Sequence, residues 1–171
     1  FVDLCNMAVK VVKFRISTAL PVLLLLVPSC VSSGSNTYRQ DSAGLKSLPS
    51  DIPLHVEDIY LPRNFISTIG PEAFTPFLNL KNLDLSDNRI ESFDASALKG
   101  TKIKDLNIAK NQLSSLPNLA DVGSTLTSLN ADSNRITNID SLDFTGLTLL
   151  QDLILSRNGI CEIALDAYSP I

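Results

Sequence analysis

Apolar residues along this chain fall into a frame that repeats. In the stretch LKNLDLSDNRIESF they stand at Leu80, Leu83, Leu85, Ile90 and Phe93, with one polar residue, Asn88, set among them. The same frame returns as Ile103, Leu106, Ile108, Asn111, Leu113 and Leu116, then as Leu126, Leu129, Ala131, Asn134, Ile136 and Ile139. Leu150, Leu153, Leu155, Asn158, Ile160 and Ile163 follow, and an upstream copy reads Val56, Ile59, Leu61, Asn64, Ile66 and Ile69. Successive frames begin 24, 23, 23 and 24 residues apart. In each, inner apolar residues alternate with polar ones, which predicts a short strand with one buried and one solvated side. Asn stands where that strand ends. A buried amide without partners costs about 1–3 kcal/mol, so five such Asn require five sets of backbone partners.

A fixed period of this length with this spacing resembles the leucine-rich repeat family, over Val56 to about Tyr168. The units look closer to the 24-residue extracellular-type class than to plant receptor repeats, whose Gly-x-Ile-Pro segment they lack. The resemblance implies an α/β solenoid, a segment of a leucine-rich repeat horseshoe with a parallel concave sheet and an irregular or short-helical convex side. It also implies that Asn64, Asn88, Asn111, Asn134 and Asn158 form a structural ladder bonded to the backbone of neighbouring turns.

On the convex side Phe74, Leu98, Phe144 and Tyr168 each lie five residues beyond a last frame position and are expected to form a spine. The third unit departs, with Asp121 at that offset, so Leu119 or Val122 must fill the space. Pro117 and Gly123 predict an irregular rather than helical segment there. Upstream, Leu45 and Leu48 share the spacing of Ile66 and Ile69, which makes residues 45–55 a degenerate N-terminal cap. Residues 34–44 are polar and aperiodic, and predict a flexible leader. A sixth frame falls due at about position 174, so the domain 56–171 is expected to be the N-terminal part of a longer protein.

Residues 7–33 resemble a secretory signal: a basic region at Lys10, Lys13 and Arg15, an apolar run Ala19 to Val27, then small and polar residues. Nine helical residues span about 14 Å, against the roughly 30 Å of a membrane core, which favours cleavage, after Ser33 or Ser29, over a retained anchor extended by Val9 to Val12. Residues 1–6 precede the Met and are read as upstream or misassigned sequence. Removing 1–33 leaves 11 Lys and Arg against 17 Asp and Glu, a net charge of −6 where the whole chain has −4. That balance opposes nucleic acid or an anionic lipid surface as partner. Of Cys5, Cys30 and Cys161 only the last falls in the repeats, so no disulfide framework is expected, and no N-glycosylation sequon occurs.

Catalytic chemistry finds little to work with. His55 is the one histidine; it stands at the very first repeat, where a cap role is expected rather than that of a triad base, one His with one Cys in the repeats does not make a four-ligand zinc site, and no Gly-rich phosphate loop is present. Neither a cofactor nor a metal is expected, and the Asp columns lack the clustered ligands of a calcium loop. The candidate surface is the solvent side of the sheet: Asp58, Asn82, Asp105, Ser128 and Asp152; then Tyr60, Asp84, Asn107, Asn130 and Ile154. Two further columns are Pro62, Ser86, Ala109, Asp132 and Ser156, and Arg63, Asp87, Lys110, Ser133 and Arg157. Six Asp against two Arg and one Lys predict a mildly acidic face with an exposed aromatic at Tyr60 and an apolar residue at Ile154. The function this implies is a secreted or cell-surface module binding a protein or peptide with basic character. The alternatives are the ectodomain of a receptor kinase and an intracellular repeat scaffold, and for the face itself a solvated sheet whose Asp residues keep it soluble and discourage edge pairing.

Overall fold

The computed structural model describes residues 36–139, 143–160 and 162–163. The signal-like stretch, Cys161 and Tyr168 lie outside them. Each of the five frames folds as its alternation dictates, into a three-residue strand, β2 (Asp58–Tyr60), β4 (Asn82–Asp84), β6 (Asp105–Asn107), β7 (Ser128–Asn130) and β9 (Asp152–Ile154), and a further strand, β1 (Thr37–Arg39), precedes them. These form one six-stranded parallel sheet in chain order, Asp58 opposite Asn82, Asn82 opposite Asp105, and so on, so the sequence period is also the pairing register. Ile59, Leu61, Leu80, Leu83, Leu85, Ile103, Leu106 and Ile108 turn inward and are almost wholly buried. Burying side chains of this size is worth about 1.5–3 kcal/mol each, which no unit could collect without its neighbours.

The ladder amides close each strand. Asn88 Nδ2 donates to the carbonyls of Leu61 and Leu85 at 3.0 Å and of Ser86 at 3.2 Å, while its Oδ1 accepts the Ile66 N–H at 3.1 Å. Asn111 repeats the pattern with Leu85, Ile108, Ala109 and the Ile90 N–H, and Asn134 with Ile108, Ala131, Asp132 and the Leu113 N–H. Asn158 does the same with Ala131, Leu155, Ser156 and the Ile136 N–H. Every rung therefore joins its own unit to the one before. The residue ahead of each rung is left-handed without being glycine: Arg63, Asp87, Lys110, Ser133 and Arg157 have φ between 52° and 56°. In that conformation the N–H groups of Arg63, Asp87, Lys110 and Ser133 reach carbonyls of the next unit at 2.7–3.0 Å, which offsets the strain.

The leader expected to be flexible is instead part of the sheet. β1 pairs with β2, Thr37 opposite Asp58 and Arg39 opposite Tyr60. Two demands draw it in. The edge of β2 would otherwise leave its backbone groups unpaired, and Asn64 needs a preceding unit: its amide donates to the Gln40 carbonyl at 2.8 Å and accepts from the N–H groups of Ala43 and Leu45. Tyr38 fills the inward position taken by Ile59 in the next unit. Its hydroxyl donates to Asp51 at 2.9 Å, and burial together with that bond pushes its pKa up to about 12. The sheet thus begins at Thr37, ahead of Leu45.

On the convex side Phe74, Leu98 and Phe144 are buried in one row, and in the third unit both Leu119 and Val122 stand in for Asp121, which is exposed. The segment expected to be irregular there carries a 3-10 turn, Ala120–Val122, the single helix among the described residues. Pro117 stops the extended backbone, and the Asn118 side chain then accepts the Ala120 N–H at 3.0 Å and starts the turn. A second row of two-residue strands, β3 (Thr68–Ile69), β5 (Ser92–Phe93), β8 (Asn138–Ile139) and β10 (Glu162–Ile163), pairs as β3 with β5 and β8 with β10. It breaks at the third unit because the bond from the Asp94 N–H to the Ile69 carbonyl has Pro117 at its next position, where there is no N–H. Gly123 lies against the following convex turn, where an added Cβ would stand 2.2 Å from the Gly146 carbonyl oxygen. No helix among the described residues is long and apolar enough to cross a membrane.

Two pairs of substitutions test this packing. Asn111→Leu strands several backbone groups and should lower stability by about 1–3 kcal/mol for each group left unpaired, whereas Asp105→Ala, on the solvent side, should change it by less than about 0.5 kcal/mol. Equal shifts of the urea midpoint would reverse the inside and outside assignments. Gly123→Ala should cost about 1–3 kcal/mol through overpacking, while Gly70→Ala, with nothing within 4 Å of the new methyl, should be nearly silent; a silent Gly123→Ala would mean that the two convex turns part easily.

Candidate functional site

The strand spacing sets the side chains of successive units side by side, and on the solvent face they enclose two adjoining troughs. The first, of about 490 Å³, is lined by Tyr60 at one end, Ile154 at the other, and Asp84, Asp105, Asn107 and Asn130 between. The second, of about 460 Å³, lies past the strand ends and is lined chiefly by Arg39, Asp41, Arg63, Lys110, Asp132 and Arg157. Asn107 and Asn130 belong to both.

Local chemistry limits what the first trough can present. Asp84, Asn107 and Asn130 each accept the N–H two residues on, from Ser86 at 2.9 Å, Ala109 at 3.2 Å and Asp132 at 3.1 Å. These Asx turns end the strands, so the three residues are structural as well as exposed. Asp58 is held by Thr37 Oγ1 at 2.8 Å and Asn82 Nδ2 at 2.5 Å. Asp84 and Asp105 take part in none of the four ion pairs among the described residues. Tyr60 is half-buried, with the Arg39 guanidinium 5.4 Å from its ring centroid. Burial, then the charges of Asp58 and Asp84, raise its phenol above the ordinary value, so it remains a neutral donor. Ile154 is 44% exposed.

The second trough is a line of ion pairs. Arg63 Nε donates to Asp41 Oδ1 at 2.8 Å, its NH2 group binds Oδ2, and Arg39 approaches Oδ2 at 3.5 Å. These contacts, with Arg63 foremost, bring the Asp41 carboxyl down to about 2. At the other end Arg157 NH2 binds Asp132 Oδ2, and Arg157 Nε donates to Ser133 Oγ at 2.8 Å. Ser133 Oγ also bonds Asp132 Oδ2 at 3.0 Å. Arg157 accordingly depresses the Asp132 pKa, while Asp132 Oδ1 is buried and has no hydrogen-bond partner.

Of the residues singled out from sequence, the troughs gather Tyr60, Arg63, Asn82, Asp84, Asp87, Asp105, Asn107, Lys110, Asn130, Asp132 and Ile154. Asp58 and Asp152 sit on the same face outside them, the second exposed. One column does not face solvent as expected. Pro62 and Ala109 are buried, and Asp132, with Arg157 of the next unit across it, is only 6% exposed, while Ser86 is half-buried and Ser156 alone is exposed. Arg39 and Asp41 were hidden in the presumed leader; counting back seven residues from Leu45, as Ile59 lies seven before Ile66, would have found their strand. His55 is exposed, and no group of three His, Cys, Asp or Glu among the described residues could hold a metal ion.

A family model described as leucine rich repeat matches residues 54–113 and 78–136. Leucine-rich repeat-containing protein 3B of Homo sapiens is 39% identical over 71 residues, 42% of this chain and 27% of its own length. Leucine-rich repeat-containing protein 3 of Danio rerio is 38% identical over 90 residues, 47% of this chain and 34% of its own. The chain thus spans about a quarter to a third of the curated relatives it matches. Among solved structures, a chain of the octameric complex of Latrophilin 3, Unc5D and FLRT2 (LRR) superposes with a TM-score of 0.66 at 32% identity, covering 73% of this chain and 39% of that one. A chain of the TLR13–ssRNA13 complex superposes at 0.61 with 31% identity, covering 74% and 18%.

The Asp41 pairing has a measurable pH signature. Unfolded, its pKa should lie near 3.9; folded, it is about 2. Its contribution to stability is therefore fully present above about pH 4 and disappears as the pH falls toward 2. In a carboxyl-detected NMR titration, Arg63→Met should raise the Asp41 midpoint toward 3.9; an unmoved midpoint would remove Arg63 as the cause.

Proposed function

Since this chain belongs to the leucine-rich repeat family, we propose that it is a non-catalytic binding module whose concave sheet receives a protein or peptide segment of basic character. The observation that carries this reading is the first trough, where Asp84 and Asp105 lie between an aromatic residue and an exposed isoleucine. Charge in that position selects partners and speeds encounter, while Tyr60 and Ile154 offer apolar contact. A polyanion would meet these carboxylates, so RNA, the partner named with TLR13, is the poorer fit here. The signal-like residues 7–33 support delivery to the outside of the cell.

Both parts of the reading can be tested in one preparation. Expressed in animal cells, the full chain should be recovered from the medium. On an array of peptides graded in net charge, it should retain basic peptides containing an apolar residue. The double variant Asp84→Lys, Asp105→Lys should lose those peptides by about tenfold or more, since like charge across an interface costs several kcal/mol. Asp121→Lys, on the convex side, should bind as the parent does. Equal retention by all three proteins would move binding off this face, and retention of the chain in the cytosol would end the extracellular reading.

A further inference from the structure

The repeat offers an internal comparison that no single unit reveals. Arg39 stands opposite Tyr60 in the sheet, and Asn130 stands opposite Ile154 in the same register four units later. Two residues past Arg39 is Asp41, and two past Asn130 is Asp132; three past Tyr60 is Arg63, and three past Ile154 is Arg157. The two constellations thus match position for position. In each, the Asp is bound by the Arg of the following unit.

They differ at two positions, Ile154 for Tyr60 and Asn130 for Arg39, and the second exchange decides how the carboxylate is held. At the first, Asp41 uses both oxygens, Oδ1 for Arg63 Nε and Ser42 Oγ, Oδ2 for Arg63 and Arg39. The Arg39 guanidinium lies over the Tyr60 ring as it does so. At the second, Asn130 replaces Arg39, and its side chain is used to accept the Asp132 N–H. Asp132 Oδ2 takes both Arg157 and Ser133, and Oδ1, on a side chain only 8% exposed, has no partner. A buried carboxylate oxygen without a donor is an unusual expense for a fold that satisfies every ladder amide.

We propose that Asp132 is a socket for a guanidinium or ammonium side chain of the partner, arriving where Arg39 lies at the other end of the sheet. Its rim is Asn130, Ile154 and Arg157, all of which line the troughs. The incoming aliphatic stem lies along exposed Ile154, as the Arg39 guanidinium lies along Tyr60, and the head group donates to Asp132 Oδ1. Arg157 is the moving part: its side chain is 72% exposed and covers the carboxylate, and a change of rotamer admits the donor. A planar fork reaches both the carboxylate and the neighbouring carboxamide, so arginine fits better than lysine. This socket rests on the reading of the concave face as a site for basic segments, and adds to it one fixed contact at the Ile154 end.

The test titrates the full chain with N-acetylarginine amide, and in parallel with uncharged N-acetylcitrulline amide, following backbone amides by NMR. The arginine derivative alone should shift residues 130–133 and 154–157. Asp132→Asn removes the acceptor's charge, and Asn130→Arg supplies a guanidinium in place of the ligand's. Each should weaken the response about tenfold or more, as loss of a charged hydrogen-bond partner does, while the Ile66 and Ile90 amides bonded to the ladder keep their positions and report an intact fold. Shifts that survive both variants, or that citrulline reproduces, would overturn the socket. If basic peptides still bind through Asp84 and Asp105 but ignore both variants, the socket alone fails; if no basic peptide binds the parent protein, the broader reading fails with it.

Discussion

Each of the five Asn-bearing units depends on one carboxamide making at least four bonds where the chain turns out of its strand. The ladder Asn donates to carbonyls of its own strand end and to a carbonyl of the unit before, and accepts an N–H from that same unit. No other side chain supplies both a two-proton donor and an acceptor in so small a volume. Leucine in its place would pack well and leave the turn unsatisfied. The strand can therefore be as short as three residues, because the amide terminates it rather than a long hairpin or a helix. Near absence of helix follows: with the turn secured, the return path over the convex side needs only enough bulk, Phe74, Leu98 or Phe144, to fill the interior.

This explains why the repeats were legible and the first unit was not. Asn at a constant offset among leucines is a conflict of polarity that only a bonded amide resolves, so five copies point to one arrangement. The unit at Thr37–Arg39 carries none of those marks: Tyr38, Gln40 and Ala43 occupy the positions of Ile59, Leu61 and Asn64. It is ordered by its neighbour's needs, since Asn64 and the edge of β2 both require a partner, and such a demand is not written in the residues that meet it. Pro117 and Gly123 predict an irregular rather than helical convex segment, yet a 3-10 turn forms there, because it depends on Asn118, whose side chain bonds locally.

The candidate face was legible as columns but not as a surface. Alternation identified which residues leave the core; it could not say that Asx turns would occupy Asp84, Asn107 and Asn130, or that Arg157 would lie over Asp132. Both effects reduce the acidity that a count of six Asp suggests. Charge is sorted instead: Asp41 and Asp132 are ion-paired past the strand ends, while Asp84 and Asp105, in none of the four ion pairs among the described residues, share the first trough. Side-chain reach between units, some 22 to 25 residues apart in sequence, is what a one-dimensional reading misses.

The left-handed column ahead of the ladder carries Arg63, Asp87, Lys110, Ser133 and Arg157 on nearly identical backbones. Two arginines, a lysine, an aspartate and a serine are not variations on a chemical theme. The conformation belongs to the turn, and the side chain merely projects from it, so the chain can exchange one head group for another there without renegotiating the fold. In this column the backbone conformation and the chemistry of the side chain reside in separate atoms, unlike at Asp84, Asn107 and Asn130, where one side chain both ends a strand and faces the trough.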